Sequence, residues 1–397
     1  MAEVAGMVMV FLLGTLGGLS GGDGGQAPRD TAAEAAAAVL PDAALAVHVD
    51  VGGALAMVDT MVGELEGLGF AKQSVTFGRA LKDVRTMMDD VYKSVGQEMG
   101  VNPRTQVGSV TLSVATVGKD DVRVLLRVRG ELAGMSTANL LGDKPAAAKT
   151  FKGAKLHPLP DGGPVKDHVL AQPDSNTLVI GPRELVQDVV AKKAWKGTER
   201  SASTRIAAMV DGDTRSFVYV APAPWMEAEL KSPSDRILRD IVGGTDYAVY
   251  AVGKTARGRL VAKNAAFAVR MSHVAQSVAS LIGAIEPLVD AAAHGAAGVL
   301  PWAAGRKAAD TAEVAADDAT TLMEAGAWAK KRFGGKAEAK LDGSSMTVEL
   351  SLSNPASLTG LLLPGVGAGM WWGFRGGSSY PEPAYEEFPH DGAPLDH

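Results

Sequence analysis

His48 and Asp50 stand two residues apart in Leu45-Ala-Val-His-Val-Asp-Val51, where large apolar side chains alternate with small or polar ones. In an extended chain, residues i and i+2 share a face, so this imidazole and carboxylate could meet one substrate together. No Ser or Thr nucleophile accompanies them in a recognisable motif. A solvated sheet face explains both residues, and the pair is read as non-catalytic. The alternative is a cofactor-free hydrolase that uses His48 and Asp50.

Arg123, Arg127 and Arg129 fall on one face of a second alternating run, Val122–Gly130. Such a basic stripe could hold an anionic ligand, or it could be a solvated face paired with neighbouring acids. These five residues are the candidate binding positions. Other chemistry is poorly represented. There is no cysteine, which removes disulfides, thiolate ligands and Cys nucleophiles, and the seven histidines lack the spacing of a helical zinc site. Gly365-Val-Gly367-Ala-Gly369 lacks the preceding strand and the later acid of a dinucleotide loop. Asp211-Gly-Asp213 lacks the continuation of a calcium loop. No Walker loop occurs, and no cofactor or metal is expected.

The elements that must position the candidates recur in order. Leu45–Val51 is followed by helical stretches, Gly52–Gly69 and Lys72–Met99, the second with an apolar stripe at Phe77, Leu81, Val84, Met88 and Val91. A hairpin of Ser109–Thr116 and Val122–Gly130 turns at Gly118–Asp121. A helix around Ala138–Thr150, a loop at Pro158–Pro164, a second hairpin through Val169–Ala171 and Thr177–Gly181, and a helix Arg183–Lys193 complete the unit. Lys196–Thr204 reads as a polar boundary. The same order follows: Ser216–Val220, a helix Ser234–Val242 with Ser234 as cap, a β-pair of Asp246–Val252 with Arg259–Arg270, two long helices (Ser272–His294, Arg306–Phe333) and a last hairpin turning at Asp342-Gly343. The expected fold is α+β, with two similar units, each an antiparallel sheet with helices packed on one face. The divisions are 1–30 (signal-like segment and linker), 31–196, 205–356, and 357–397, where an apolar Gly/Pro segment runs into an acidic tail.

Composition narrows the class. With 397 residues, 46% hydrophobic and 21% charged, the chain suits two globular units. A net charge of −6 argues against nucleic acid as a partner. Val4–Leu19 is uncharged and apolar, shorter than a spanning helix but close to the core of a secretory signal. It lacks a basic flank, since Glu3 stands there. Leu19-Ser20-Gly21-Gly22 has the form of a lipobox with Gly22 at the position of the lipidated Cys. The expected address is outside the cytoplasm, in the periplasm or outer envelope, with membrane contact through Val4–Leu19.

Leu40-Pro41-Asp42-Ala43 before Leu45–Val51, and Gly100-Val101-Asn102-Pro103 before Val107–Val114, resemble the pattern of a group of uncharacterised bacterial envelope proteins. Arg127-Val128-Arg129-Gly130 and Thr177-Leu178-Val179-Ile180-Gly181 fit the same scheme. The resemblance covers roughly Leu40–Lys193 and implies an extracytoplasmic location; the group has no established catalytic residues to carry over. The missing lipobox Cys and basic flank depart from that pattern. The expected function is non-catalytic binding or scaffolding of an envelope component or an unknown protein.

Overall fold

A computed structural model describes residues 27–357, apart from 70–81, 117–121, 160–166, 305–322 and scattered positions within 84–99, 136–146, 194–197, 224–229 and 233–234. The expectations for Val4–Leu19, the Gly118–Asp121 turn, the Phe77–Val91 stripe, most of the Ala138–Thr150 helix, most of the Pro158–Pro164 loop, the larger part of the Arg306–Phe333 helix, the Ser234 cap and the segment after Ser357 lie outside these residues.

The first described element, α1 (Ala32–Ala37), begins at a capping box. The Thr31 hydroxyl accepts from the Glu34 amide, and the Glu34 carboxylate accepts from the Thr31 amide. The chain then enters β1 (Ala43–Asp50) and turns without a loop into α2 (Val51–Gly67). Asp50 makes that turn, its Oδ1 accepting from the Gly53 amide at 2.9 Å. Gly53 leaves room for the carboxylate, which would lie 2.9 Å from a Cβ there. β2 (Val107–Thr116) and β3 (Val122–Gly130) pair as an antiparallel hairpin, with Leu112 opposite Leu126.

A short hairpin, β4 (Lys149–Phe151) and β5 (Ala154–Pro158), comes next. It replaces the end of the expected Ala138–Thr150 helix. Lys152 and Gly153 both take positive φ, the requirement of a tight two-residue turn. β6 (His168–Asp174), β7 (Thr177–Pro182) and α3 (Arg183–Val190) close the first half. The boundary segment then proves to contain α4 (Ala202–Ala207), whose N-cap is Ser201. The second half continues with β8 (Ser216–Val220), α5 (Arg236–Gly244), β9 (Thr245–Val252), β10 (Ala256–Ala262), α6 (Ala265–Ala304), β11 (Ala337–Asp342) and β12 (Thr347–Leu352). The expected strand Arg259–Arg270 stops at Ala262. Asn264 accepts from the Phe267 amide at 2.9 Å and starts the helix there.

All twelve strands form one antiparallel sheet, ordered β11-β12-β10-β9-β8-β1-β2-β3-β7-β6-β5-β4. The expectation of one sheet per unit is therefore corrected. β1 and β8 pair edge to edge, Val47 opposite Val218 and His48 opposite Phe217, which satisfies backbone groups that two separate sheets would leave exposed. Outward from this pair the strand order runs β1-β2-β3-β7-β6-β5-β4 on one side and β8-β9-β10-β12-β11 on the other, so the β5-β4 extension has no counterpart in the second half. At one outer edge, β11 carries Glu338 and Lys340, charges that discourage further strand addition.

Both faces are covered, so helices on one face describe only the longer ones. α2 packs over β1 and β2, and α6 over β10, β11 and β12. The short α1, α3 and α4 cover the opposite face, above a core that includes Ala46, Leu125, Val179, Phe217 and Tyr219. Both ends of the hydrophobic alternation in β1 are thereby buried: Val47 and Val49 below α2, and Ala46 below α1 and α4.

Candidate functional site

The strand register lines up polar side chains across the middle of the sheet. One row runs Asp50–Ser109–Arg129–Thr177 through β1, β2, β3 and β7. The next row, on the same face, runs Phe217–His48–Thr111–Arg127–Val179. Antiparallel register places these residues directly opposite one another, close enough for side-chain contact.

This face is covered from above by Ala27–Asp30 and α1. The linker expected at the end of the 1–30 division is thus corrected for its described part, since Ala27 and Asp30 are buried. The Asp30 amide donates to Ser109 Oγ at 3.0 Å, and Arg127 Nη2 donates to Asp30 Oδ1 at 3.1 Å. Arg129 Nε lies 3.2 Å from the same oxygen, while its Nη1 donates to Thr177. Further along, the Leu40 amide donates to Ser113 Oγ at 3.0 Å. Arg123 pairs with Asp42 nearer the end of the strand. The three arginines of the stripe are therefore held by acids of this chain, with Asp30 and Asp42 in the position an external anion would take.

His48 is fully buried. Its Nδ1 lies 2.9 Å from Thr111 Oγ1, and the ring rests on Phe217 with centroids 5.4 Å apart. Nε2 has no hydrogen-bond partner among the described residues. Burial, with a smaller contribution from the Arg127 charge, lowers the imidazole pKa to about 3. Asp50 is engaged elsewhere: Oδ1 caps α2, and Oδ2 accepts from Arg29 Nη1 at 2.8 Å with Arg215 Nη1 at 3.4 Å. The Asp50 amide also donates to Ser216 Oγ at 3.2 Å. The reading of His48 and Asp50 as a solvated face is overturned. They share a face, but that face is interior and each side chain has a different partner.

Asp30 has the geometry of an ion pair, yet its pKa is raised. Loss of solvation outweighs the attraction of Arg127 and Arg129. The Asp30 carboxylate is almost completely buried, and its Oδ2 has no hydrogen-bond partner among the described residues.

Sequence reading missed Asp30, Ser109, Thr111 and Thr177 as members of this network. Ser109, Thr111 and Ser113 alternate with Val110 and Leu112, which is the same pattern that a wetted face produces. The only available signal was the Thr31/Glu34 capping spacing, which places Asp30 at the entrance to a helix.

Two openings lie elsewhere. One, of about 450 Å³, is bordered by Asp89, Tyr92, Lys93, Asn102 and Arg104. There the Arg104 guanidinium sits 4.5 Å from the Tyr92 ring centroid and pairs with Asp59 and Asp89. The other, about 300 Å³ and almost wholly apolar, lies between β8–β9–β10 and α6. Among the described residues no three His, Asp or Glu side chains converge as a metal site requires.

Comparison with protein families, with curated proteins and with solved structures gives no match for this chain.

Proposed function

We propose that this chain is a non-catalytic binding or scaffolding protein of the bacterial envelope, built from two similar units joined through β1 and β8. The observation that carries the non-catalytic reading is the state of His48. A general base must reach its substrate and must titrate near the working pH. This imidazole is sealed beneath Phe217 and the α1 segment, and burial keeps it neutral far below neutrality. The hydrolase alternative needs His48 and Asp50 exposed and acting together, an arrangement their separate partners disfavour.

The matched strand orders on either side of the β1–β8 pair support duplication, as do Thr31 and Ser201, which each cap a short helix leading toward the two central strands. The envelope address is supported by the apolar Val4–Leu19 segment and the resemblance noted above.

Cell fractionation with a carboxy-terminal tag, together with sequencing of the mature amino terminus, tests the address. Recovery in the periplasmic or membrane fraction is expected; recovery only in the cytosol rejects it. For the role, His48→Leu is expected to keep partner capture in a cross-linking assay on intact cells, because the buried side chain contacts only the interior of this chain.

A further inference from the structure

Two long helices share one face of the sheet, α2 above β1 and β2, and α6 above β10, β11 and β12. Four inter-strand steps, β12-β10-β9-β8-β1, separate the strands beneath them, about 19 Å at roughly 4.8 Å each. Packed helices stand about 10 Å apart, so the interval between α2 and α6 has room for one more helix. A helical stretch, 323–333, fills one end of it. Trp328 donates to Glu64 of α2 at 3.0 Å, and Lys330 donates to Asp290 of α6 at 2.8 Å. The other end is the apolar groove, floored by Val218, Val220 and Leu260 and walled by Met271, Val274 and Val278 of α6. Val218 also joins the core beneath α2, which fixes groove and α2 on the same face.

α5 is a helix without a seat. None of the other strands and helices named above packs along it, and Ile237, Leu238 and Ile241 stay exposed, Ile237 by 73%. At about 100° per residue these three share one side with Val242, while Arg236, Arg239 and Asp240 fall on the other. Laid in the groove, α5 would bury its apolar side and keep its charges in water. The lengths agree: the nine residues of α5 span about 13 Å, and the wall from Met271 to Val278 about 10 Å. Arg259, the one charged residue bordering the groove, is paired with Glu349 at 2.8 Å. An apolar surface is therefore what the groove matches.

α5 is already fastened at the rim of this groove. The Lys263 amide donates to the Gly244 carbonyl at 2.8 Å, and the Phe267 ring lies against Gly244. Phe267 packs in turn with Leu260 and Met271, which line the groove. Closure needs a rotation beside that anchor, and Gly243 has the backbone freedom to supply it. At its other end Arg239 holds the Leu230 carbonyl, which belongs to the long Ala221–Asp235 connection and can travel with the helix.

We propose that α5 is a hinged lid on the groove between β8–β9–β10 and α6. Closed, Ile237, Leu238 and Ile241 lie on Val218, Val220 and Leu260 against the α6 wall. Open, as in the structure, the same floor is presented to apolar ligands, so the lid and a ligand compete for one seat. Such a lid is independent of the envelope address and of the non-catalytic reading.

The chain has no cysteine, so introduced pairs report without background. In the full chain, Val274→Cys is combined in turn with Ile237→Cys, Leu238→Cys and Ile241→Cys. Val274→Cys with Val122→Cys is the control, because Val122 lies on β3 in the other half of the sheet. All five positions are exposed, and circular dichroism checks the fold. A disulfide closes only where Cα atoms come within about 7 Å. After mild oxidation, non-reducing electrophoresis and mass spectrometry should find at least one α5 pair joined within the chain, about tenfold or more faster than the control. That trapped form should bind the neutral dye Nile red about tenfold more weakly than the same protein after reduction. Replacing the other two of Ile237, Leu238 and Ile241 by Asp in the fastest pair should slow trapping about tenfold. An α5 series no faster than the control, trapping that ignores the Asp substitutions, or a trapped form that binds the dye as the reduced form does overturns the lid. A disulfide between chains in place of one within the chain, in a dimer seen by light scattering, assigns the groove to a second copy's α5 and overturns it as well.

Discussion

His48 Nδ1 lies 2.9 Å from Thr111 Oγ1, directly across the β1–β2 ladder and sealed from solvent, so the ring is held neutral in the fold. With burial lowering its pKa from 6.5 to about 3, the unfolded chain takes up a proton well before the native one does. His48 therefore contributes full stability above about pH 6.5. That contribution declines as pH falls and levels off near pH 3. Urea denaturation at pH 7.5 and pH 5 should show a loss of about 2 kcal/mol assignable to this ring. In His48→Leu the slope over that interval should flatten, even though Thr111 loses its partner. An unchanged slope would mean the imidazole does not titrate as its burial requires.

Asp30 and Arg127 should respond unequally to substitution. Burial raises the Asp30 pKa, so its contribution is largest below the unfolded value of 3.8 and is lost as pH rises through the folded value. Asp30→Asn keeps an oxygen for Arg127 and removes a costly buried charge. Its effect at neutral pH should be less than about 1 kcal/mol. Arg127→Leu leaves Asp30 with Arg129 as its near cation and should cost about 3 kcal/mol. A double-mutant cycle by chemical denaturation reads the coupling between them.

Gly130 ends β3 against the Gln106 carbonyl, and a Cβ there would overlap that oxygen. Because the obstacle is backbone, it cannot move aside as a side-chain tip would. Gly130→Ala should destabilise by about 2 kcal/mol or more, visible as a lower thermal midpoint. Gly134, where a Cβ meets nothing within 4 Å, is the control: Gly134→Ala should leave the midpoint nearly unchanged.

Thr31 and Ser201 cap α1 and α4, two of the three short helices on this face. Thr31→Ala removes the hydroxyl acceptor of the capping box and frees Asp30, its neighbour, to fray from Ser109. A loss of about 1 kcal/mol is expected, together with faster amide exchange at Asp30. Ser201→Ala should cost a similar amount while leaving Asp30 exchange unaltered. Equal exchange at Asp30 in both variants would separate the cap from the strap that covers the sheet.

Much of the strand layout was legible because period-two alternation and turn chemistry are local. Leu45–Val51, the β2–β3 pair and the Asp342-Gly343 hairpin follow directly from neighbouring residues. The β4–β5 hairpin escaped notice because its strands are short and its turn is Lys-Gly, which is not among the strongest turn signals. The helix at Ala265 was mistaken for strand because Leu260 to Val269 reads as an apolar run interrupted only by Lys263 and Asn264, the second of which caps the helix.

What the sequence alone determined was the α+β class and which side chains share a face, since both depend on backbone periodicity. Whether a face is wet or dry depends on what crosses above it. His48 and Asp50 are interior, and Arg127 half-buried, because Ala27–Asp30 and α1 fold over them from as far as 97 residues away along the chain. The joining of both halves into one sheet was likewise a tertiary decision. It turned on β1 and β8 meeting at unsatisfied edges, where each strand's unpaired amides and carbonyls found partners that no local pattern specifies.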